Sequence, residues 1–309
     1  MKTLRTLSTM IGAGALAFTL AACGGNATPA NTAAPGGDGS APAGGASGTI
    51  TMGYLPAWTD GLSTAYLLEN QLEQMGYTVE HEELSEAAPL YVALSRGDVD
   101  IYPSAWPEVT HASYMEQYSA DIEDLGAYYD NAKLTIAVPE YTDIDSIEDL
   151  AANADRFGGR IVGIEPGAGL TKATQEQVIP QYGLDGSYEL VTSSTTAMLA
   201  ELKKATDAQQ DIVVTLWRPF WANSSFPVKD LADPKGALGE AEALHFLATK
   251  GFAAEFPEAA AYISKIKLTD DQYGQLEDMV VNEYGEGREA EAVQAWIDAN
   301  PDVLPAIEG

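Results

Sequence analysis

Three tryptophans stand just past strand-like segments, each near a proline. They are Trp58 in Tyr54-Leu55-Pro56-Ala57-Trp58-Thr59-Asp60, Trp106 in Ile101-Tyr102-Pro103-Ser104-Ala105-Trp106-Pro107, and Trp217 in Val214-Thr215-Leu216-Trp217-Arg218-Pro219. A strand-end loop is not the natural place for a core tryptophan, and three at equivalent positions can converge on one cleft. Converging indole faces suit a cation that has no N–H to donate. A quaternary ammonium offers only diffuse charge, which aromatic faces attract at about 2 kcal/mol per desolvated contact. The alternative is that the three are packing anchors at loop bases. Trp296 falls within a helical period and reads as core, and Trp221 as backing for the Trp217 loop. Asp60 is either a plain N-cap or an acceptor facing the cleft. The amides of Gly61 and Leu62, at a helix start, are candidate donors to an anionic group, as are Ser193, Ser194 and Thr195. Arg218 is either a solvated charge or a partner for a carboxylate.

These loops must be placed by the elements that precede them. Segments 49–54, 77–84, 99–102, 133–138, 160–164, 188–191 and 212–216 read as strands, with one more at 242–249. Segments 61–75, 87–95, 107–118, 145–153, 170–179, 196–206, 255–266, 269–284 and 288–299 read as helices. Alternation at this spacing means βαβ units and mainly parallel sheets. Two successive groups of such units predict an α/β protein of two lobes, with ligands at the carboxyl ends of strands.

Composition narrows the chemistry. With 46 acidic and 16 basic side chains in 309 residues, the formal charge is −30. Nucleic-acid binding, which needs basic patches, is excluded, and so is attraction to anionic lipid. One cysteine leaves no disulfide framework, and three scattered histidines (His81, His111, His245) argue against a metal site. His111 reads as a locally bonded helix residue and His245 as a strand residue. No Gly-x-Ser-x-Gly elbow occurs and the only thiol is Cys23, so no catalytic residue is assigned and the chain is not read as an enzyme. Residues 1–22 carry Lys2 and Arg5 and then an apolar run from Met10 to Ala22, the layout of a secretory signal. The sequence Leu20-Ala21-Ala22-Cys23-Gly24 looks like a bacterial lipobox, making Cys23 the expected lipidated residue. Residues 23–48, rich in Gly, Ala, Pro, Ser and Thr, read as a tether.

From residue 49 to 300 the chain resembles the glycine betaine/choline substrate-binding proteins of ABC importers. The likeness is carried by Ser104-Ala105-Trp106-Pro107 with Thr110-His111, by Gly163-Ile164-Glu165-Pro166-Gly167-Ala168-Gly169, and by Glu189–Ser194 followed by Met198–Leu202. It continues in Ile212–Trp221, in Lys250-Gly251-Phe252, and in Ala295-Trp296-Ile297 with Asn300-Pro301. The resemblance implies a periplasmic-binding-protein-like fold that closes about a hinge, with lobe I at 49–137 plus 240–309 and lobe II at 138–239. It implies that Trp106 and Trp217 are cage walls, with Trp58 a third. It also implies a cofactor-free monomer on the extracytoplasmic side, lipid-anchored to the cell membrane, that delivers glycine betaine, or alternatively choline, to an ABC permease. Two departures stand out. Leu268 occupies the place of a third Trp found in some betaine binders. Trp58-Thr59-Asp60 resembles the choline branch, yet Leu134 and Ala168 stand where that branch has Tyr and Asn. Tyr54, Tyr102 and Tyr128 are further candidate walls.

Overall fold

The computed structural model describes residues 47–307; the expected signal segment, Cys23 and most of the tether lie outside them. In Thr49–Tyr54 the alternation puts Ile50, Met52 and Tyr54 fully into the core, and this segment is strand β1. Among the described residues it is followed by α1 (Thr59–Gln74), β2 (Thr78–Glu83), α2 (Ala87–Arg96), β3 (Ile101–Ala105), α3 (Ala112–Tyr118) and β4 (Ile122–Pro139). Next come β5 (Arg160–Val162), α4 (Gly169–Ala173), which runs through a π turn into α5 (Ile179–Gln181), then β6 (Glu189–Val191), α6 (Thr195–Asp207) and β7 (Val214–Arg218). The chain closes with α7 (Ala222–Ser225), β8 (Val228–Asp230), β9 (Glu242–Thr249), α8 (Phe252–Glu255), α9 (Pro257–Ile263), α10 (Asp270–Asp278) and α11 (Glu289–Ala299).

The strands lie in the order β2-β1-β3-β9-β4-β7-β5-β6, with β8 beside β4. The architecture is α/β as expected, but the sheet is mixed rather than mainly parallel. The pairs β1–β2, β1–β3, β5–β6 and β5–β7 are parallel, as helical crossovers require. The antiparallel pairs all involve β4 or β9. These strands serve both halves of the order. Residues Ile122 to Ala132 of β4 pair with β9, and Lys133 to Ala137 pair with β7. Sequence alternation shows only the second part of β4. The first part carries Asp124, Gly126, Asp130 and Asn131, and its register slips at three places, so no clean period of two survives.

The expected helix at 107–118 begins only at Ala112. The preceding residues are held open by a carboxylate from a distant strand. Glu242 of β9 accepts the backbone N–H groups of Glu108, Val109 and Thr110, at 3.1, 2.9 and 2.9 Å, and the Thr110 hydroxyl. Amides that would otherwise start a helical turn are spent on it. At the 145–153 segment the chain makes two short 3₁₀ turns, the first opened by a Ser146 capping box. Trp296 is fully buried, as its helical period predicts.

Candidate ligand-binding site

Trp58, Trp106 and Trp217 line one cavity together with Asp60, Thr110, His111, Leu134, Ile164, Ala168, Gly169 and Leu170. All but Leu134, which lies within β4 opposite Trp217, are at or beyond a strand end, where the topology predicts a ligand. The hollow measures 30 Å³ of space open to the centre of a water molecule. With a water radius of about 1.4 Å restored on every side, that is room for a compact head such as trimethylammonium and a short tail.

Each indole is fixed by a different device. Trp106 donates its Nε1–H to Asp60 Oδ2 at 3.0 Å, and the Ser104 hydroxyl donates to the same oxygen at 2.8 Å. Behind them Tyr128 donates to Ser104 at 2.8 Å and meets the Tyr273 hydroxyl at 3.0 Å. Trp58 precedes α1 and donates its Nε1–H to Glu165 Oε2 at 3.1 Å, across from the β5–α4 turn. Its ring stacks on His111, with centroids 6.1 Å apart and planes 18° from parallel. Trp217 pairs with Leu134 in the sheet and stacks on Phe220 at 3.9 Å. Two of the three indoles thus donate to carboxylates, which adds electron density to the faces a cation would meet.

The buried charges are set by desolvation. Burial pushes the Asp60 carboxyl above its usual range, and the donors Trp106 and Ser104 pull it partly back. Glu277 on α10 is also buried, takes a 2.8 Å bond from the Thr59 hydroxyl, and is pushed up to about 8 by burial and then by Asp60. Burial lowers His111 to about 3, so the ring is neutral at working pH. Its Nδ1 accepts from the Trp106 amide at 3.3 Å and from Tyr91 at 3.1 Å, leaving Nε2 as the protonated nitrogen.

Glu277 yields a stability prediction with a definite sign. Its folded-state value, about 8, lies above the usual 4.5 of a glutamate, so folding favours the protonated acid. The stability it contributes is complete below the lower value and is lost as pH rises through the upper one. Glu277→Gln should therefore match the wild type in thermal midpoint near pH 5. By pH 9 it should be the more stable protein, by a few kcal/mol in order of magnitude. Equal pH profiles for the two proteins would refute the assignment.

The family described as the substrate-binding domain of the ABC-type glycine betaine transport system matches residues 48–299. The chain belongs to this family. It is one of transport rather than of enzymes, and its members act on the extracytoplasmic side. A glycine betaine/carnitine transport binding protein of Listeria monocytogenes, GbuC, is 38% identical over 161 residues, 51% of each chain. The match thus spans about half the length of that curated relative. Two crystal structures share the two-lobed fold. The glycine/betaine/L-proline-binding protein ProX of Borrelia burgdorferi has a TM-score of 0.77 and 29% identity, over 84% of this chain and 97% of that one. The lactococcal OpuAC, in its closed-liganded conformation with glycine betaine, has a TM-score of 0.75 and 30% identity, over 82% and 96%. Among the described residues no helix is long and apolar enough to cross a membrane.

In this substrate-binding domain the structure brings Trp58, Asp60, Trp106 and Trp217 together and sets other expected residues aside. The N-cap of α1 is Trp58, two residues before Asp60, which lies inside the first turn. Gly61 does not line the cavity, and its amide faces the Asp60 carboxylate. The Leu62 amide is spent inside the helix start, on the Trp58 carbonyl at 3.1 Å. Arg218 is committed to Asp230 at 2.6 Å. Ser194 caps α6, and Thr195 gives both its amide and its hydroxyl to Glu165, each at 2.8 Å. Tyr54, Tyr102 and Tyr128 are buried behind the cavity rather than along it. Leu268 is buried elsewhere and bonds through its amide to Tyr128. Sequence reasoning missed His111, Gly169 and Leu170 as lining. The signal for the last two was a Gly-Ala-Gly turn opening a helix, a pattern that presents free amides.

Proposed function

We propose that this protein captures glycine betaine on the extracytoplasmic side and delivers it to an ABC permease. One observation carries the reading: three indoles, two just past strands β1 and β3 and one at the end of β7, surround one small cavity beside a buried carboxyl group, Asp60. In this reading Trp58, Trp106 and Trp217 bind the trimethylammonium head by cation–π attraction, and Asp60 fixes Trp106 while adding negative potential. The carboxylate end takes the other side of the cavity. There the first amide of the α4 run to bond back within the helix is that of Lys172, to the Ala168 carbonyl at 3.1 Å. The amides of Gly169 and Leu170, both cavity-lining, precede it and are the helix's free donors. His111 Nε2–H is a further donor. The molecule works as a monomer of two lobes, 49–137 with 240–309 and 138–239, tethered by a lipid on Cys23.

Choline is the second reading, favoured by the placement of Asp60 in the cavity wall, where a carboxylate suits a hydroxyl. Titration calorimetry of the purified protein separates the two readings. Glycine betaine should bind in the micromolar range and choline at least about tenfold more weakly, one such factor being about 1.4 kcal/mol. The isostere 3,3-dimethylbutanoate, which keeps the carboxylate but carries an uncharged tert-butyl head, should give no heat. Tighter binding of choline would move the assignment to it, and equal binding of the isostere would remove the cation from the reading.

A further inference from the structure

Glu165 joins two parts of the molecule that share no strand pairing. It lies in the turn after β5, is 5% exposed, and accepts the amide and hydroxyl of Thr195 at the start of α6. Its backbone carbonyl takes the Thr171 hydroxyl at 2.8 Å. These bonds tie it to its own β5–β6 side. The same carboxylate, through Oε2, also holds the indole N–H of Trp58, which belongs to the β1–α1 loop. Two neighbouring bonds bridge the same gap. Glu86 accepts the Gly167 amide at 3.2 Å, and the Tyr114 hydroxyl donates to the Gly167 carbonyl at 2.8 Å. Trp58 and Glu165 also stand between two spaces. Trp58 lines the small aromatic cavity, and Glu165 lines a wider neighbouring cleft with Glu83, Glu86, Glu286 and Glu289.

We infer that Glu165 is a positioning residue, a latch that sets the Trp58 ring against the ligand and holds the two sides together while it is bound. The inference rests on the reading of two lobes that close on a quaternary ammonium ion. With the sides apart, the indole N–H loses this acceptor and the ring keeps only its stack on His111. With them together, a buried bond to a carboxylate must break before the ligand leaves. Such bonds are stronger than neutral ones, and changes at an existing interface act mainly on dissociation.

The test is a double-mutant cycle of Glu165→Gln and Trp58→Phe, read by stopped-flow dissociation of glycine betaine. Gln keeps the size and one acceptor for Thr195 but no longer offers a carboxylate to Trp58. Phe keeps an aromatic face but has no N–H, and so reaches the same bond from the other side. We expect Glu165→Gln to speed dissociation about tenfold in the wild-type background, with little change in association rate or in the thermal midpoint of the ligand-free protein. In the Trp58→Phe background the same substitution should change dissociation by less than about twofold, since the bond is already gone. Equal effects in both backgrounds would mean that Glu165 acts only through its charge or its own side, and the latch would be overturned. An unchanged dissociation rate in Glu165→Gln overturns it as well. If wild-type protein binds no quaternary ammonium compound at all, both the functional reading and the latch fall.

Discussion

Gly169→Ala should weaken ligand binding by about a hundredfold, near the upper end of what overpacking a close contact costs, while leaving the ligand-free protein as stable as before. A methyl group at Gly169 would sit 2.1 Å from the Thr110 carbonyl oxygen and 2.5 Å from its Cγ2. Neither atom can give way cheaply. Thr110 belongs to the loop whose amides and hydroxyl are bound by Glu242. The glycine itself opens α4, whose first residues line the cavity. Relief requires the two walls to separate, which widens the cavity and pulls the Gly169 and Leu170 amides away from the ligand. Away from that contact, alanine suits a helix better than glycine by up to about 1 kcal/mol, so the thermal midpoint should hold or rise. Calorimetry beside a melting curve reads both quantities. Normal affinity in Gly169→Ala would mean that the ligand-bound geometry lacks this contact.

Trp217→Ala and Trp106→Ala should each cost at least about 2 kcal/mol of binding, the worth of one desolvated cation–π contact. Trp106→Ala should cost the more. It removes a ring face, and it also takes away the indole donor of Asp60, which keeps Ser104 and its neighbouring amides. Trp217→Ala unstacks Phe220 and leaves space that the sheet beneath cannot close. Trp217→Leu is the control for that packing loss, because it restores apolar volume without a π face. If Leu recovers wild-type affinity, the ring acts as filler and the cation–π account fails. Affinities from calorimetry with glycine betaine decide it. Trp296→Ala, by contrast, should lower the melting point and leave the affinity of the folded fraction alone, since that indole is fully buried and bonds only to the Gln272 carbonyl.

The strand-end tryptophans were legible in the sequence because proline and a preceding apolar run mark where a strand stops. So were the core role of Trp296 and strand β9, whose period is regular. What escaped was everything decided by partners far along the chain. Glu242 looks like one acid among 46, yet it shapes the Trp106 loop from 132 to 134 residues away. Glu165 reads as part of a turn until Trp58 is found 107 residues off. Asp60 fits two roles equally by local pattern, and only the position of Ser104 and Trp106 decides between them. His111 carries no signal of burial, because its neighbours in sequence are largely exposed. The first part of β4 was hidden by its own register slips.

That strand has one more consequence. Ala132 pairs with Glu242 and Lys133 with Arg218, on consecutive residues. No unpaired residue stands between the two partnerships. The slack lies just before this crossover, between Tyr129 and Ala132, where Asp130 and Asn131 have no partner on β9, so a swing of β5, β6 and β7 against β1, β2 and β3 would bend the ribbon at that slip and not at the crossover itself.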